Sequence, residues 1–395
     1  MAVEPRSTGA AERRRDDSAA DRWCVMLETY RTRWGGDLRR TYLFRGLAER
    51  TGATILDGWG RRPLRDEFGI LRILPTPLRY LRPRTRPRLA SSEMIPPQVM
   101  HMARRVLDPA AVAVYDDPVA QAHDLGIAMS ADRQAYFTAR KRANLRAFRW
   151  HVVPTASFAE HIGLDMSRVI VAGNGTDTTR VVPGEWPEDP AIGMVSGAAP
   201  GRGIETLIAA ARELHEVVPE LRLLLWLAAT GEDSEAYLRD LQRATASERW
   251  IEVSTASYDD LSLALRQATI LTIPHPPGEY HDIALPLKLL DSMAAGRPLV
   301  VTPRTEVRAV VERHRAGLVT AGETPEDLAT TMRQLIENDA LAREIGARAR
   351  RAAEAFYDWG VVGDRLASAV LEREGDSAQA PAGDPRLGGS IDQSE

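Results

Sequence analysis

The second half of the chain alternates short apolar runs with helical patterns, and this alternation limits the possible folds more than any other feature. The apolar runs have the length of strands: IGMVS (192–196), LRLLLWLAA (221–229), WIEVS (250–254), TILTIP (269–274), PLVVT (298–302) and GLVT (317–320). Strands that alternate with helices form parallel sheets covered on both faces, so their side chains read as continuous apolar stretches. This half therefore predicts an α/β fold with a doubly wound parallel sheet.

The first half of the chain repeats this alternation less regularly. Strands are predicted in the runs RWCVMLE (22–28), ATIL (53–56), AVAVY (111–115), HVV (151–153) and RVIVA (168–172). Helical patterns separate them over residues 37–50, 131–148 and 155–162. Two doubly wound domains would face each other across a cleft, and ligands in such sheets sit at the carboxyl ends of the strands.

The chain divides into two predicted Rossmann-like domains. They cover residues 22–182 and 191–357, and the proline-rich stretch PGEWPEDP (183–190) is the predicted linker. A C-terminal helix over residues 358–374 is placed where it can cross back to the N-terminal domain. The tails, residues 1–21 and 375–395, contain few large apolar side chains and are expected to be disordered.

Composition excludes several classes of protein. A net charge of −4 gives no general attraction to nucleic acid or membranes. Cys24 is the only cysteine, so neither an internal disulfide nor a cysteine metal cluster can form. The histidines show no zinc-type spacing with a third ligand, and no protein-bound metal is predicted. The N-terminus lacks the apolar core of a secretory signal, and the longest apolar run, LLLWLAA (223–229), is too short to span a membrane. A cytoplasmic protein is expected.

The segment SGAAPGRGIETL (196–207) combines a strand end, a loop of small residues and a helix start. Main-chain N–H groups at a helix N-terminus bind anions, and glycines such as Gly201 and Gly203 let a ligand approach closely. Arg202 stands at that N-terminus, where a cation gains nothing from the helix dipole unless an anion lies between them. The alternatives are a phosphate-binding loop and a strand–helix turn with a solvated arginine.

The segment LPLKLLDSMAAGRPLVV (285–301) predicts a helix followed by a buried strand. Pro286 suits the first helical turn and Gly296 its end. Lys288 and Asp291 are three residues apart and so share one face of the helix. They form either a surface ion pair or a site where the lysine meets a phosphate and the carboxylate accepts hydrogen bonds from sugar hydroxyls.

Three segments, in the same order and spacing, resemble those of family 4 glycosyltransferases of the GT-B fold. VIVAGNGTDTTRVVP resembles the family's "vpNGvD" segment, SGAAPGRGIETLI resembles "vGrl…KGvdtLi", and LPLKLLDSMAAGRPLVV resembles "lPxKlfEymAaGkPvv". The resemblance covers residues 168–357, and RWGGDLRRTYLFRGLAERTG adds a similar glycine-rich loop and first helix near the N-terminus. It implies two Rossmann-like domains with a nucleotide-sugar donor site in the second.

The resemblance assigns donor-site roles to matching residues of the C-terminal half. Asp291 stands where the family has a glutamate that holds the nucleotide ribose, and Arg202 stands where it has a diphosphate-binding lysine. Lys288 matches a lysine that precedes the carboxylate in some members, and Gly203 belongs to the phosphate loop. Arg202 and Lys288 are therefore candidate catalytic residues as well as donor ligands.

Two positions depart from the family pattern. Ala198 replaces an arginine that usually follows the first glycine of the loop, and Ile283 replaces the first glutamate of a glutamate pair. His281 and Asp282, which precede Ile283, are candidates to contact the donor sugar or the acceptor instead.

In the N-terminal half, AVAVYDDP places two aspartates after a predicted buried strand, where the family often has a histidine near the donor sugar. Asp116 is the candidate catalytic residue there, and Asp117 is a candidate sugar or acceptor contact. The alternative is an Asp-Asp-Pro turn that ends the strand. Gly36, just before a predicted helix, is a candidate for main-chain approach to the donor, the alternative being a tight turn.

Residues 61–88 are strongly basic, with nine arginines against Asp66 and Glu67. Interleaved apolar side chains suit this stretch to an anionic, lipid-linked acceptor or to peripheral contact with the inner membrane surface. A solvated loop is the favoured interpretation. Nucleic acid is not an expected partner, because the rest of the chain is acidic on balance.

These features, with the resemblance, predict a retaining glycosyltransferase that moves a sugar, with a hexose expected, from a nucleotide-diphosphate sugar. The acceptor is a glycan, a lipid-linked glycan or a small molecule. The resemblance implies neither cofactor nor metal, because basic side chains and helix dipoles neutralise the leaving diphosphate. Two alternatives stay open: a nucleotide-sugar epimerase, and a catalytically weak GT-B subunit that accompanies another transferase.

Overall fold

The computed structural model describes residues 23–26, 42–56, 86–92, 101, 104–114, 117–229, 231–255, 257 and 260–375. In this part of the chain the strands form two six-stranded sheets, and neighbouring strands pair in parallel.

The N-terminal sheet has the strand order β2-β1-β3-β4-β5-β6. Its strands are β1 (Trp23–Met26), β2 (Thr54–Leu56), β3 (Arg88–Ser92), β4 (Asp108–Ala113), β5 (Trp150–Val153) and β6 (Val169–Val171). Its helices are α1 (Arg45–Thr51), α2 (Pro118–Asp124), α3 (Ala131–Ala147) and α4 (Ala156–His161), followed by a 3-10 turn (Met166–Arg168). Sequence analysis missed β3, because RLASS contains none of the β-branched or aromatic residues typical of strands.

The C-terminal sheet has the strand order β12-β11-β10-β7-β8-β9. Its strands coincide with the predicted apolar runs and are β7 (Ala191–Gly197), β8 (Arg222–Ala228), β9 (Ile251–Ser254), β10 (Ile270–Ile273), β11 (Leu299–Val301) and β12 (Gly317–Val319). Its helices are α5 (Ile204–His215), α6 (Glu232–Ala244), α7 (Leu261–Arg266), α8 (Glu279–Ile283), α9 (Leu287–Ala294), α10 (Thr305–His314), α11 (Pro325–Ile336) and α12 (Asp339–Ala352). A π-helical turn (Ala353–Tyr357) leads into the last helix, α13 (Trp359–Arg373).

Side chains along β8 alternate between two helical layers. Leu223, Leu225 and Leu227 share a buried cluster with residues of α5, α6 and α11. Leu224 and Trp226 share a second cluster with residues of α7, α9 and α10. Both faces of the strand are buried, which explains why it reads as an unbroken apolar run.

Helix α13 packs on the N-terminal sheet although it follows the C-terminal one. Gly46 of α1 permits this contact, since a Cβ there would lie 2.6 Å from the carbonyl carbon of Gly363. Just beyond the helix, the Glu374 carboxylate accepts hydrogen bonds from Arg149 Nη2 at 2.7 Å and Trp150 Nε1 at 2.6 Å. The helix contributes five residues to the same buried cluster as Trp23 and Phe44: Trp359, Val362, Leu366, Ala367 and Val370.

The winding of the C-terminal sheet reverses between β7 and β10. From β7 the chain moves outward through β8 to β9, then returns to place β10 on the other side of β7. Loops that leave the carboxyl ends of two such strands diverge and open a crevice, which is the usual ligand position in parallel α/β sheets. The segments at this switch point are residues 198–203, after β7, and 274–286, between β10 and α9.

Candidate functional site

The loop after β7 is pressed against its surroundings at two glycines. Gly203 has φ 75°, and a Cβ there would lie 1.8 Å from the carbonyl oxygen of Pro274. Gly201 has φ 72°, and a Cβ there would lie 2.4 Å from the carbonyl oxygen of Asp124, on the N-terminal domain. Only glycine fits both the conformation and the space at these positions. The loop thus touches both the segment after β10 and the opposite domain.

Arg202 lies between these glycines and is half-buried. Its Nε is buried and has no hydrogen-bond partner among the described residues. Burial lowers the pKa of Arg202, while Tyr280 and Asp124 act in the opposite direction. A buried donor without an acceptor costs free energy, and a bound anion would remove that cost.

Lys288, on α9, brings a second cation to the crevice. Its Nζ lies 3.4 Å from Ser196 Oγ at the end of β7, and no carboxylate of the described residues lies within ion-pairing distance. Burial, and then repulsion by Arg202, hold the pKa of Lys288 well below its usual range. The surface ion pair with Asp291 that the sequence left open is absent.

Two histidines stack beside these cations. The rings of His275 and His281 lie 4.5 Å apart, and the Nε2 atom of each is buried without a partner among the described residues. Burial lowers both pKa values, helped by the charge of Lys288 at His275 and of Arg202 at His281. His281 was predicted as a possible sugar or acceptor contact, whereas His275 was not singled out. Its place directly after β10, at the switch point, was the available signal.

Asp291 lies on the same face of α9 as Lys288, about one turn further along the helix. Its buried carboxylate accepts a hydrogen bond of 2.7 Å from Thr176 Oγ1. Burial raises the pKa of Asp291 to about 7, against the hydrogen bond from Thr176 and with a further rise caused by Asp177. The carboxyl group therefore titrates near neutral pH in the unliganded protein.

Helix α8, which lies in the segment between β10 and α9, is held in place by hydrogen bonds to the N-terminal domain. Asp124, at the end of α2, accepts hydrogen bonds from the main-chain N–H groups of Tyr280 at 2.8 Å and His281 at 3.0 Å. Thr155 Oγ1 donates to the carbonyl oxygen of Ile283 at 3.0 Å. These long-range contacts were not predicted, because nothing local in the sequence marks Asp124 or Thr155.

Asp282 of the same helix contacts the start of α10. Its Oδ1 lies 3.5 Å from Arg304 Nη1 and accepts a hydrogen bond of 3.3 Å from the main-chain N–H of Thr305. Arg304 also pairs with Glu323. The predicted sugar or acceptor contact at Asp282 is thus tied to α10 in the unliganded protein.

Asp117 caps α2 on the N-terminal side of the cleft. Its Oδ1 accepts hydrogen bonds from the N–H groups of Val119 and Ala120, each at 3.2 Å, and its Oδ2 pairs with Lys141 Nζ at 2.9 Å. Burial acts to raise the pKa of Asp117, but Lys141, the Ala120 N–H and His161 together outweigh it, so the pKa lies below its usual value. Asp117 thus caps α2 and is paired in the unliganded protein.

Several predicted residues lie outside the described part of the chain. They are Gly36, Asp116 and residues 61–85 of the basic stretch. Arg88, at the end of that stretch, lies in β3 and pairs with Glu374 at 2.8 Å. Within the described ranges, no group of three or more His, Cys, Asp and Glu residues could hold a metal ion. No helix there is both long and apolar enough to cross a membrane.

The switch-point segments lie in a region that matches a known family. Residues 189–338 match the family model described as Glycosyl transferases group 1. The matched stretch includes Arg202, Lys288 and Asp291 and ends within the loop before α12.

The chain is similar to two curated proteins named D-inositol 3-phosphate glycosyltransferase. The one from Nocardioides sp. is 25% identical over 263 residues, covering 63% of this chain and 54% of its own length. The one from Rhodococcus opacus is 24% identical over 221 residues, covering 52% of this chain and 48% of its own length. The match thus spans about half the length of these curated relatives.

Solved structures match nearly the whole chain. Sucrose-phosphate synthase from Thermosynechococcus elongatus has a TM-score of 0.65 and 14% identity, covering 89% of this chain and 99% of that one. HepE of Anabaena, in complex with UDP-glucose, has a TM-score of 0.64 and 14% identity, covering 88% of this chain and 99% of that one. The prediction of a GT-B fold with two Rossmann-like domains is confirmed.

Proposed function

We propose that the chain is a retaining glycosyltransferase that moves a sugar from a nucleotide-diphosphate sugar to an acceptor. The observation that carries this proposal is the pair of half-buried cations, Arg202 and Lys288, at the switch point. Arg202 and Lys288 repel each other, and no carboxylate of the described residues lies within ion-pairing distance of either. A diphosphate supplies the missing negative charge and the missing hydrogen-bond acceptors at once.

The two ends of the site suit the two ends of such a donor. Arg202, Lys288 and the N–H groups that begin α5 at Gly203 bind the diphosphate, and Asp291 accepts hydrogen bonds from the nucleoside hydroxyls. Structural neighbours solved with UDP and with UDP-glucose support a nucleotide-sugar donor.

In the proposed reaction, the bond from the anomeric carbon to the diphosphate oxygen breaks, and the diphosphate leaves with the bonding electrons. A bond from the acceptor oxygen to the same carbon forms on the same face of the sugar, and the acceptor hydroxyl passes its proton to the departing diphosphate oxygen. Arg202 and Lys288 stabilise the charge that develops on the diphosphate, so no metal is required for departure. Asp116 stays the proposed catalytic residue of the N-terminal domain.

The acceptor side is contributed by the N-terminal domain. Curated relatives are named for D-inositol 3-phosphate, so this phosphorylated cyclitol belongs in the first acceptor panel. Lipid-linked glycans belong in the same panel, because the basic residues 61–88 suit an anionic acceptor or peripheral membrane contact.

Thermal unfolding with UDP, GDP, dTDP and ADP, each with and without EDTA, tests the donor site. At a hundredfold excess over Kd, the matching nucleotide stabilises the native state by about 2.7 kcal/mol. We expect one nucleotide to raise Tm equally in EDTA, and the rise to vanish in Arg202→Met and Lys288→Met. Arg212→Met is the control, since Arg212 pairs with Glu248 on the surface of α5 and should leave the rise unchanged.

Turnover then separates the enzyme from its alternatives. Release of the nucleoside diphosphate that depends on an acceptor supports a transferase, and NMR of the product reports its anomeric configuration. Conversion of the donor without an acceptor would instead indicate an epimerase. Nucleotide binding with no turnover on any acceptor would favour the accessory subunit, which Ile283 and Ala198 already suggest. No Tm shift with any nucleotide would overturn the donor site itself.

A further inference from the structure

The segment Asn174–Asp177 lies where the chain passes between the two domains. The N–H of Thr176 donates to the carbonyl oxygen of Tyr357 at 2.8 Å, and its own carbonyl accepts from the N–H of Trp359 at 3.0 Å. Thr176 and Asp358 thus form an isolated parallel bridge between the outgoing and the returning crossing of the chain. We call this pair of crossings the hinge bridge.

The hinge bridge is tightly packed, and neighbouring hydrogen bonds hold it further. A Cβ on Gly175 would lie 2.6 Å from the ring of Trp359. Thr178 donates both its N–H, at 3.2 Å, and its hydroxyl, at 2.5 Å, to Asp358 Oδ2. The main chain of the segment is therefore fixed by the hinge and does not depend on the Thr176 side chain.

The same segment also reaches the helix that carries the donor groups. The amide of Asn174 donates to the carbonyl oxygen of Leu285, just before α9 begins. The hydroxyl of Thr176 donates to Asp291 Oδ1 at 2.7 Å in the middle of α9, and Thr176 is 1% exposed. One residue thus joins the hinge through its main chain and the candidate nucleoside carboxylate through its side chain.

We propose that Thr176 is a positioning residue of the donor site, which orients the Asp291 carboxylate for the nucleoside and ties that orientation to the hinge bridge. This inference rests on the proposed function, because it takes Asp291 as a donor ligand. A shift of the hinge that moves the Thr176 main chain must also move the hydroxyl that holds the carboxylate. Donor affinity and domain placement are then coupled through one hydrogen bond.

The groups around Asp291 determine at which pH its carboxyl group loses its proton. Burial raises the pKa of this carboxyl, the Thr176 hydroxyl lowers it, and Asp177 on the same segment raises it. Arg350 of α12, which packs against α9, directs its guanidinium to the carbonyl oxygens of Thr178, Val181 and Ala294. The π-helical turn that also packs there contributes the Tyr357 hydroxyl, which bonds to His314. Loss of the Thr176 hydroxyl therefore removes a contact that favours the ionised carboxylate.

The test is the Kd of UDP measured by calorimetry between about pH 6 and about pH 9. If another of the four nucleotides stabilises the wild type, that nucleotide is the probe. We expect Thr176→Val, which keeps the shape and the main-chain bridge, to weaken binding roughly tenfold near neutral pH. The pH below which affinity falls should move upward, because the carboxylate loses its hydrogen bond and protonates more readily. Thr176→Ser should restore the affinity to within about threefold and return the pH profile to that of the wild type.

Thr178→Val is the matched control, because it removes a hydroxyl that ties the same hinge bridge to Asp358 and does not contact Asp291. It should change the Kd by less than about twofold and leave the pH profile in place. Wild-type affinity and pH profile in Thr176→Val would overturn the inference and leave the proposed function standing. Equal weakening in Thr178→Val, with the same upward shift of the pH profile, would also overturn it, since the effect would then not depend on the Thr176 hydroxyl. Absence of binding by the wild type to any of the nucleotides would reject the proposed function, and the inference with it.

Discussion

The two sides of the cleft hold their charges in opposite ways. On the N-terminal side, Asp117 caps α2 and pairs with Lys141, while Asp124 is satisfied by two N–H groups of α8. On the C-terminal side, Arg202 and Lys288 face each other with no carboxylate of the described residues in ion-pairing distance. The charges on the N-terminal side are balanced within the protein, whereas those on the C-terminal side are balanced only when an anion binds.

The pKa directions express the same difference. Lys141 lowers the pKa of Asp117 despite burial, as expected for a paired acid. Burial raises the pKa of Asp291 to about 7 and lowers that of Lys288, as expected for groups that give up water without gaining a counter-charge. Paired charges on one side stabilise the fold, and unpaired charges on the other are a cost that ligand binding can recover.

The largest expected effect is at the glycine that shapes the unpaired side. Gly203→Ala forces a side chain into a left-handed conformation and to within 1.8 Å of the Pro274 carbonyl oxygen. We expect a loss of more than about 3 kcal/mol in the free energy of unfolding, together with loss of nucleotide binding. Urea unfolding and the thermal shift with UDP measure the two effects.

Gly197→Ala, at the end of β7, is the matched control for that substitution. A Cβ there meets no atom within 4 Å, so stability should change by less than about 0.5 kcal/mol. A Gly203→Ala variant as stable as Gly197→Ala, with intact nucleotide binding, would show that the loop is not held against the segment after β10.

The second prediction compares how the contributions of Asp291 and Asp117 to the free energy of unfolding depend on pH. A group whose folded pKa is raised contributes stability at low pH and loses it as pH rises through the folded pKa. Because the pKa of Asp291 is raised to about 7, wild-type stability should fall relative to Asp291→Asn by roughly 2 kcal/mol from about pH 5 to about pH 8. Urea unfolding at both pH values measures this difference.

Asp117→Asn should show the opposite sign. The pKa of Asp117 is lowered, so its contribution is present at neutral pH and is lost only as pH falls through the folded pKa. The variant should be destabilised near neutral pH and approach the wild type in acid. Urea unfolding of Asp117→Asn and of the wild type at about pH 7 and about pH 3 measures this approach. The contrast between the two carboxyl groups is wrong if Asp291→Asn follows the wild type in parallel from about pH 5 to about pH 8 and Asp117→Asn does so from about pH 7 to about pH 3.

The fold of the C-terminal domain was readable from sequence for a physical reason. The central strands β7, β8, β10 and β11 are largely buried on both faces, so each leaves an apolar run bounded by turn residues. Lys288, Asp291 and Arg202 were predicted because they lie at fixed positions in segments that resemble a known family. Strand β3 was missed because RLASS has no strand-like composition.

The hydrogen-bond partners of the site residues could not be predicted from the sequence. Thr176 meets Asp291 across 115 positions, and Asp124 meets His281 across 157. Such pairs depend on how two domains and a returning helix are placed, and no local periodicity records that. The sequence also could not tell that Asp117 is paired, since Lys141 lies a helix away on α3.

The smallest expected effect is a change in the free energy of unfolding, which should have opposite signs when Lys288 and Lys141 are replaced. Lys288→Met replaces a half-buried cation, which has no counter-charge among the described residues, by an apolar side chain of similar length. It should stabilise the unliganded protein by roughly 1 kcal/mol while abolishing the Tm shift with UDP. Lys141→Met leaves Asp117 without its cation and should destabilise by about 1 kcal/mol while keeping that shift. Chemical unfolding without ligand, followed by the thermal shift with UDP, measures both quantities on each variant. Destabilisation by Lys288→Met would mean that this cation already has a compensating partner, and the cost attributed to the unpaired side would disappear.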